Sequence, residues 1–189
     1  KAIAIASNNL GNTLLSIYKT KASPKSCCLL DGHCIRGLAI GCYDEAIAIG
    51  RAEYNDALRS QDDGSDDLRA SYATQLANRY FNRGLCLLLT RNDPCSDENA
   101  EQRGIDDLVQ VRQYDSMVRD YWISTRQVQK HSSIYFERLL RRSQGLAIPS
   151  LPANLKATWD IRDLMHEADS LLFAIGKDKD SPLLKGVSR

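Results

Sequence analysis

Apolar residues recur along most of the chain at steps of three and four, the spacing that places them on one face of an α-helix. The first such run contains Ile3, Leu10, Leu14, Ile17 and Tyr18. Sustained alternation of apolar and polar residues, which is typical of strands, is nearly absent. The pattern therefore predicts an all-α protein.

Breaks in this pattern divide the chain into six predicted helices. Pro24 and Gly32 mark a loop over residues 20–32, and the next breaks fall at residues 61–67 (QDDGSDD) and at Pro94. Gly64 is expected to end the second helix, with Ser65 or Asp66 capping the third. Taken in order, the helices form three antiparallel hairpins over residues 2–59, 66–128 and 131–176. We expect one domain over residues 1–176 and a polar tail over residues 177–189.

The same spacing predicts which residues of the later helices face inward. For the second, third and fourth helices these are Ile35, Leu38, Cys42, Ala46, Ile49, Tyr54, Ala57 and Leu58; Leu76, Tyr80, Leu85, Leu88 and Leu89; and Ile105, Leu108, Val111, Tyr114, Val118, Tyr121 and Trp122. Gly84 and Gly145 lie at similar places in the second and third hairpins. We expect both glycines to let a partner helix approach closely.

Composition narrows the class of protein further. The chain has 189 residues, 43% of them apolar, and a formal net charge of +1, which argues against a general nucleic-acid binder. The longest uncharged apolar stretch, residues 85–90, is far shorter than the roughly 20 residues of a membrane helix. Because the sequence begins at Lys1 rather than Met, we expect it to be part of a larger polypeptide.

The six cysteines of the chain are informative about its cellular compartment and about metal binding. A chain of this length does not need disulfides to fold, so we expect free thiols and a cytoplasmic protein. Cys27, Cys28, His33 and Cys34 have the chemistry of zinc ligands but lack the paired C-x-x-C spacing. We therefore expect neither a metal site nor a cofactor.

Two segments of the first predicted hairpin resemble tetratricopeptide repeats. The run Gly41-Cys-Tyr43-Asp-Glu-Ala46-Ile47, followed by residues 54–58 (YNDAL), resembles the second helix of such a repeat. Asn9-Leu10-Gly11-Asn12 is similar to the Leu-Gly pair of a first helix, and Leu76-Ala-Asn78-Arg79-Tyr80 resembles the first helix of the next repeat. The family repeats every 34 residues, and the hairpins predicted here are longer, so the likeness is that of a divergent member.

The resemblance implies a right-handed solenoid of stacked hairpins with a concave groove. Such a module binds a peptide or partner protein and acts as a scaffold or regulatory module without catalysis. One subclass captures a partner's C-terminal carboxylate, and by likeness to it Asn12, Asn78 and Arg79 would line the groove. Asn8 stands where that pattern has Lys, which removes a positive charge.

Basic residues suggest an acidic partner. Arg112, Arg119 and Arg126 recur every seven residues and form one stripe on the fourth predicted helix, while Arg138 and Arg142 share a face of the fifth. The stripe is suited to an acidic or phosphorylated peptide, although a solvated helix face has the same pattern. The candidate peptide-binding residues are Asn12, Asn78, Arg79, Arg112, Arg119, Arg126, Arg138 and Arg142.

Two other functions remain open at this stage. One is a helical-bundle enzyme or cofactor-binding domain, although His33, His131 and His166 belong to no catalytic motif. His166-Glu167, for example, lacks the second histidine of a zinc-protease helix, since position 170 is Ser. The other is a structural subdomain that packs on the rest of a larger protein. We expect no catalytic residues, a protein or peptide partner, no nucleic acid and no membrane span.

Overall fold

The computed structural model describes residues 2–21, 29–30, 33–60 and 64–124. These contain the helices α1 (Ala2–Lys21), α2 (Ile35–Arg59), α3 (Ser65–Leu89) and α4 (Ala100–Ser124), with strands β1 (Leu29–Leu30) and β2 (His33–Cys34) preceding α2. The two strands pair antiparallel. Apart from this short pair, the described part is all-helical, as predicted. The third predicted hairpin, residues 131–176, and the tail lie outside the described residues.

The junction between α2 and α3 depends on one arginine and one glycine. Arg69 of α3 donates from Nε to the carbonyl oxygen of Ala57 at 3.0 Å and from Nη2 to that of Ser60 at 2.8 Å. It therefore satisfies carbonyls that the end of α2 leaves without helical partners. Gly64 has a φ of +91° and occupies the N-cap of α3, a backbone conformation that favours glycine. The prediction that Gly64 ends α2 is wrong, because α2 ends at Arg59.

Helix α1 is buried through three small residues as well as through two leucines, of which Leu14 was predicted to face inward. Ala4, Ser7 and Gly11 are buried, and Leu14 and Leu15 join the core beside Ile35 and Tyr43. Ile3 and Leu10 were predicted to face inward, yet they are 65% and 53% exposed. The reason is the close contact at Gly11, which turns the narrow side of α1 toward α2.

The predicted inward faces of the other helices are partly confirmed. Leu38, Leu58 and Leu89 are exposed, so these three assignments are wrong. In α2 the predicted residues Ile35, Ala46, Tyr54 and Ala57 are buried, and the buried face also includes Ala39, Ile40, Tyr43, Ile47 and Gly50. In α3, Leu76, Tyr80 and Leu88 are buried as predicted. In α4 the predicted face is correct for the buried residues Ile105, Leu108, Val111, Val118 and Trp122.

Glycine also sets the contact between α3 and α4. A Cβ atom at Gly84 would lie 3.1 Å from the carbonyl oxygen of Gly104, and one at Gly104 would lie 2.8 Å from Cγ of Leu88. The two backbones therefore approach closely, which confirms the expected role of Gly84; Gly145 lies outside the described residues. Tyr114 of α4 contacts rings on both preceding helices, with centroids 5.7 Å from Tyr54 and 6.0 Å from Tyr80.

Residues up to Asp115 form one compact unit, and residues from Ser116 onward belong to a second. None of the helices that the structure describes combines the length and the apolar character needed to cross a membrane.

Candidate functional site

Amide side chains connect the first helices of the two described hairpins. Nδ2 of Asn82 on α3 donates to Oδ1 of Asn8 on α1 at 3.1 Å, so these two helices are neighbours although α2 separates them in sequence. One turn further along α1, the exposed Asn12 accepts a hydrogen bond on Oδ1 from the hydroxyl of Tyr43 at 2.9 Å. We refer to Asn8, Asn12 and Asn82 as the amide face. Its side chains offer both donors and acceptors.

Arg79 lies in the interior rather than on a binding surface. Only 3% of the surface of Arg79 is exposed. Its guanidinium donates from Nη1 to the carbonyl oxygen of Ala46 at 3.1 Å and from Nη2 to Oε1 of Gln75 at 3.2 Å. The guanidinium fits here because Gly50 has no side chain. Burial lowers the pKa of Arg79, and the charge of Glu53 opposes this effect. The guanidinium of Arg79 therefore joins α3 to α2 inside the protein.

The remaining predicted residues are only partly described. Asn78 and Arg112 are half-buried, and both have interaction partners. Arg119, beyond Asp115, donates from Nη2 to Oδ1 of Asp120 at 2.9 Å. Arg126, Arg138 and Arg142 lie outside the described residues, so the seven-residue basic stripe stays a prediction.

Sequence reasoning missed Asn8 and Asn82 as members of one face. A signal was present, since an Asn-Arg pair at residues 82–83 stands directly before Gly84, the glycine of the close helix contact. The pair at residues 78–79, chosen instead, lies one helical turn earlier. At that earlier position the arginine of the pair, Arg79, contacts α2.

Arg83, next to the amide face, is fully engaged by carboxylates from two other helices. Its Nε and Nη2 donate to Oδ2 and Oδ1 of Asp107 at 2.8 and 2.6 Å, and its Nη1 donates to Oδ1 of Asp44 at 2.5 Å. Burial alone would lower the pKa of Arg83, but hydrogen bonds and charges from the two aspartates raise it. Burial also raises the pKa of Asp107, against the influence of Arg83. Arg83 therefore ties α2, α3 and α4 together.

A second polar cluster lies where the connection before α2 meets the connection after α3. The sulfur atoms of Cys34 and Cys95 and a carboxylate oxygen of Asp93 all lie within 4.8 Å of one another. We call these three residues the sulfur cluster. Asp93 is buried and held in place, because its Oδ2 accepts from the hydroxyl of Tyr18 at 2.8 Å and its Oδ1 from the backbone N–H of Cys95 at 2.7 Å.

The cysteines differ in state. Cys95 is disulfide-bonded, so the expectation of free thiols is wrong for this residue. Cys34, Cys42 and Cys86 are free. Burial raises the pKa of the Cys86 thiol to about 11, although the charge of Arg36 and a hydrogen bond with Thr90 oppose this. Of the predicted group Cys27, Cys28, His33 and Cys34, only the side chain of Cys34 is described.

A buried arginine lies beside the sulfur cluster. Arg36 donates from Nε to the hydroxyl oxygen of Thr90 at 2.9 Å and from Nη1 to the carbonyl oxygen of Cys95 at 3.2 Å. Its third nitrogen, Nη2, is buried and has no hydrogen-bond partner within the described part of the chain. The cluster therefore combines two sulfurs, a carboxylate and a neighbouring fixed positive charge.

Comparison with known proteins assigns neither site. No protein-family model matches the sequence, and no curated protein or solved structure matches it either.

Proposed function

We propose that this chain is a non-catalytic protein-interaction module, a divergent tetratricopeptide-like repeat that binds a peptide or partner protein in a groove. The observation that carries the proposal is the hydrogen bond between Asn82 and Asn8, which makes α1 and α3 neighbours. In a stacked solenoid the first helices of successive hairpins line one side. The right-handed arrangement of three hairpins is part of the proposal.

The chemistry of the amide face favours an extended peptide backbone. An amide side chain can donate to a peptide carbonyl and accept from a peptide N–H at the same time. Arg83 adds no free positive charge to this face, because Asp44 and Asp107 already bind its guanidinium. The amide face thus binds the partner's main chain. The proposed preference for acidic side chains rests on the sequence pattern of Arg112, Arg119 and Arg126.

We further propose a scaffold or regulatory role in the cytoplasm. The free thiols of Cys34, Cys42 and Cys86 support this location. The Cys95 disulfide argues against it, since stable disulfides are rare in the cytosol. A cytoplasmic location therefore implies that the Cys95 disulfide is reversible.

The test uses peptides selected from a random displayed library on the full chain. Their affinities are measured by fluorescence anisotropy for the unmodified chain and for a variant that carries both Asn8→Asp and Asn82→Asp. The two carboxylates remove the amide donors and repel acidic peptides, so we expect affinity to fall more than tenfold. Because they also replace the hydrogen bond between Asn82 and Asn8 with like charges, an unchanged circular-dichroism spectrum is required of the variant. Asn55→Asp, an exposed position on α2, is the matched control and should leave affinity unchanged. Equal affinities for all three proteins, or no selected peptide, would reject the amide face as the binding surface.

A second candidate function is a structural subdomain that packs on the rest of a larger polypeptide. Ile3 and Leu10 favour it, because they lie seven residues apart on α1 and expose more than half of their surface. If this face normally packs on another segment, the chain should self-associate and bind a hydrophobic dye. Ile3→Gln together with Leu10→Gln should abolish both properties, whereas Leu68→Gln, an exposed leucine on α3, should not. A monomeric chain that binds no dye would exclude this candidate.

A further inference from the structure

The sulfur cluster has the composition of a binding site for a thiophilic metal ion. Thiolate sulfur selects Zn²⁺ over hard cations such as Mg²⁺ and Ca²⁺, and a carboxylate oxygen is a common additional zinc ligand. Cys34, Asp93 and Cys95 supply two sulfurs and one carboxylate from two separate connections of the fold. Three protein ligands leave one coordination position for water or another group.

The distances suit tetrahedral coordination after a small adjustment. Two sulfurs at roughly 2.3 Å from Zn²⁺ lie about 3.8 Å apart in a tetrahedral site. In the disulfide-bonded chain the ligand atoms already lie within 4.8 Å of one another, about 1 Å more than the sulfur spacing of a tetrahedral zinc site. Cys95 is exposed and Cys34 is partly exposed, which leaves a path for the ion to enter.

The surroundings of the cluster support the same assignment. Metal-bound carboxylates are usually oriented by hydrogen bonds from outside the coordination sphere, and Asp93 already accepts such bonds from Tyr18 and the backbone of Cys95. Two thiolates, one carboxylate and Zn²⁺ carry a net charge of −1. The buried guanidinium of Arg36, bonded to the carbonyl oxygen of Cys95, offsets that charge.

We propose that the reduced chain binds one Zn²⁺ ion through Cys34, Asp93 and Cys95. A thiol reductant first supplies two electrons: the bond to the Cys95 sulfur breaks, Cys95 and its former partner each take up a proton, and the reductant becomes a disulfide. Zinc then displaces the protons of the Cys34 and Cys95 thiols into solvent. The site is therefore available only in the reduced protein, and it links the start of α2 to the connection between α3 and α4.

The test is a titration of the full chain with Co²⁺, a spectroscopic substitute for Zn²⁺, followed by competition with Zn²⁺. After reduction with a phosphine, we expect one Co²⁺ per chain, with a thiolate-to-metal charge-transfer band and the visible bands of tetrahedral cobalt. Without reduction we expect no such bands. Cobalt binding of equal strength by the oxidised chain would overturn the assignment of Cys95.

Variants then separate this site from the other thiols of the chain. Cys34→Ser should remove the charge-transfer band or weaken binding more than 100-fold, and Tyr18→Phe should weaken it by about tenfold. Cys42→Ser is the matched control, a free and partly buried cysteine on α2, and should bind as the unmodified chain does. Unchanged binding by Cys34→Ser would place the metal on other cysteines and refute the proposal.

A measurement on the unmodified chain covers the case in which Cys34→Ser fails to fold. After phosphine reduction, bound Zn²⁺ should protect Cys34 and Cys95 from iodoacetamide, as read by mass spectrometry of peptides, while the rate at Cys42 stays the same. Equal modification of Cys34 and Cys95 with and without Zn²⁺ would refute the site independently of any substitution.

Discussion

Single glycines determine how closely the helices of this protein approach one another. At Gly11 a Cβ atom would lie 2.6 Å from Cε1 of Tyr43, a distance at which one side must move. The ring of Tyr43 cannot easily move, because it is fully buried and its hydroxyl is bonded to Asn12. Gly11 is thus required by packing rather than by its backbone conformation.

We expect Gly11→Ala to destabilise the protein, although alanine is the better helix former. Overpacking a core contact costs about 1–3 kcal/mol, which exceeds the gain of about 1 kcal/mol in helix propensity. Gly41→Ala is the control, since nothing lies within 4 Å of a Cβ atom at that exposed position of α2; it should stabilise by about 1 kcal/mol. Urea unfolding followed by circular dichroism gives both values. A more stable Gly11→Ala protein would show that α1 and α2 can separate without loss.

Arginine side chains form ion pairs between neighbouring helices. The burial of each carboxylate partner determines how much the ion pair contributes to stability. Arg83 joins α3 to α4 through Asp107, whose side chain is 5% exposed, and to α2 through Asp44, whose side chain is 45% exposed. Both contacts are short. Their contributions to stability should nevertheless differ, since removing one partner of a buried pair leaves the other charge uncompensated.

Asp107→Asn should therefore cost much more stability than Asp44→Asn. We expect a loss of about 3 kcal/mol for the buried partner and about 1 kcal/mol or less for the exposed one. Chemical unfolding at neutral pH and in moderate salt measures both. Equal losses would mean that the two aspartates share the guanidinium equally and that burial does not distinguish them.

Arg69 binds carbonyl oxygens at the end of α2 and also pairs within α3 with the exposed Asp66, whose Oδ1 lies 2.7 Å from Nη1. Arg69→Met removes the hydrogen bonds to the carbonyl oxygens of Ala57 and Ser60, which should cost about 1–3 kcal/mol because hydrogen bonds to charged groups are strong. Arg59→Met tests the contribution of an exposed ion pair alone, since Arg59 contacts Asp56 three residues earlier at 3.5 Å; it should change stability by about 0.5 kcal/mol or less. Thermal melting compares the two. Similar melting temperatures for the Arg69→Met and Arg59→Met proteins would show that Arg69 does not stabilise the end of α2.

At the scale of the whole chain, periodicity and helix breakers predicted all four described helices, and only the junction at Gly64 was assigned to the wrong helix. Periodicity was less successful with helix faces. It favours large apolar residues, whereas α1 is buried at Ala4, Ser7 and Gly11 as well as at Leu14 and Leu15. The sulfur cluster could not be predicted, because Asp93 and Cys95 meet Cys34 only once α3 has folded back along α2. Local sequence patterns predict the helices. The contacts between helices depend on which small residues of one helix face those of another, and local patterns do not give this.

The stability of the whole described unit should fall at alkaline pH. Burial raises the pKa of Tyr43, and it does the same for Tyr54, Tyr80 and Tyr114. Above the ordinary tyrosine pKa of about 10 the unfolded chain releases these protons while the folded chain keeps them. The stabilisation is therefore complete below pH 10 and declines above it, by about 1.4 kcal/mol per pH unit for each tyrosine that stays protonated. We expect unfolding midpoints to drop as the pH rises above about 10. Tyr43→Phe should make the drop shallower at a cost of about 1 kcal/mol at neutral pH, for the lost bond to Asn12. An identical pH dependence in the two proteins would show that Tyr43 ionises without unfolding.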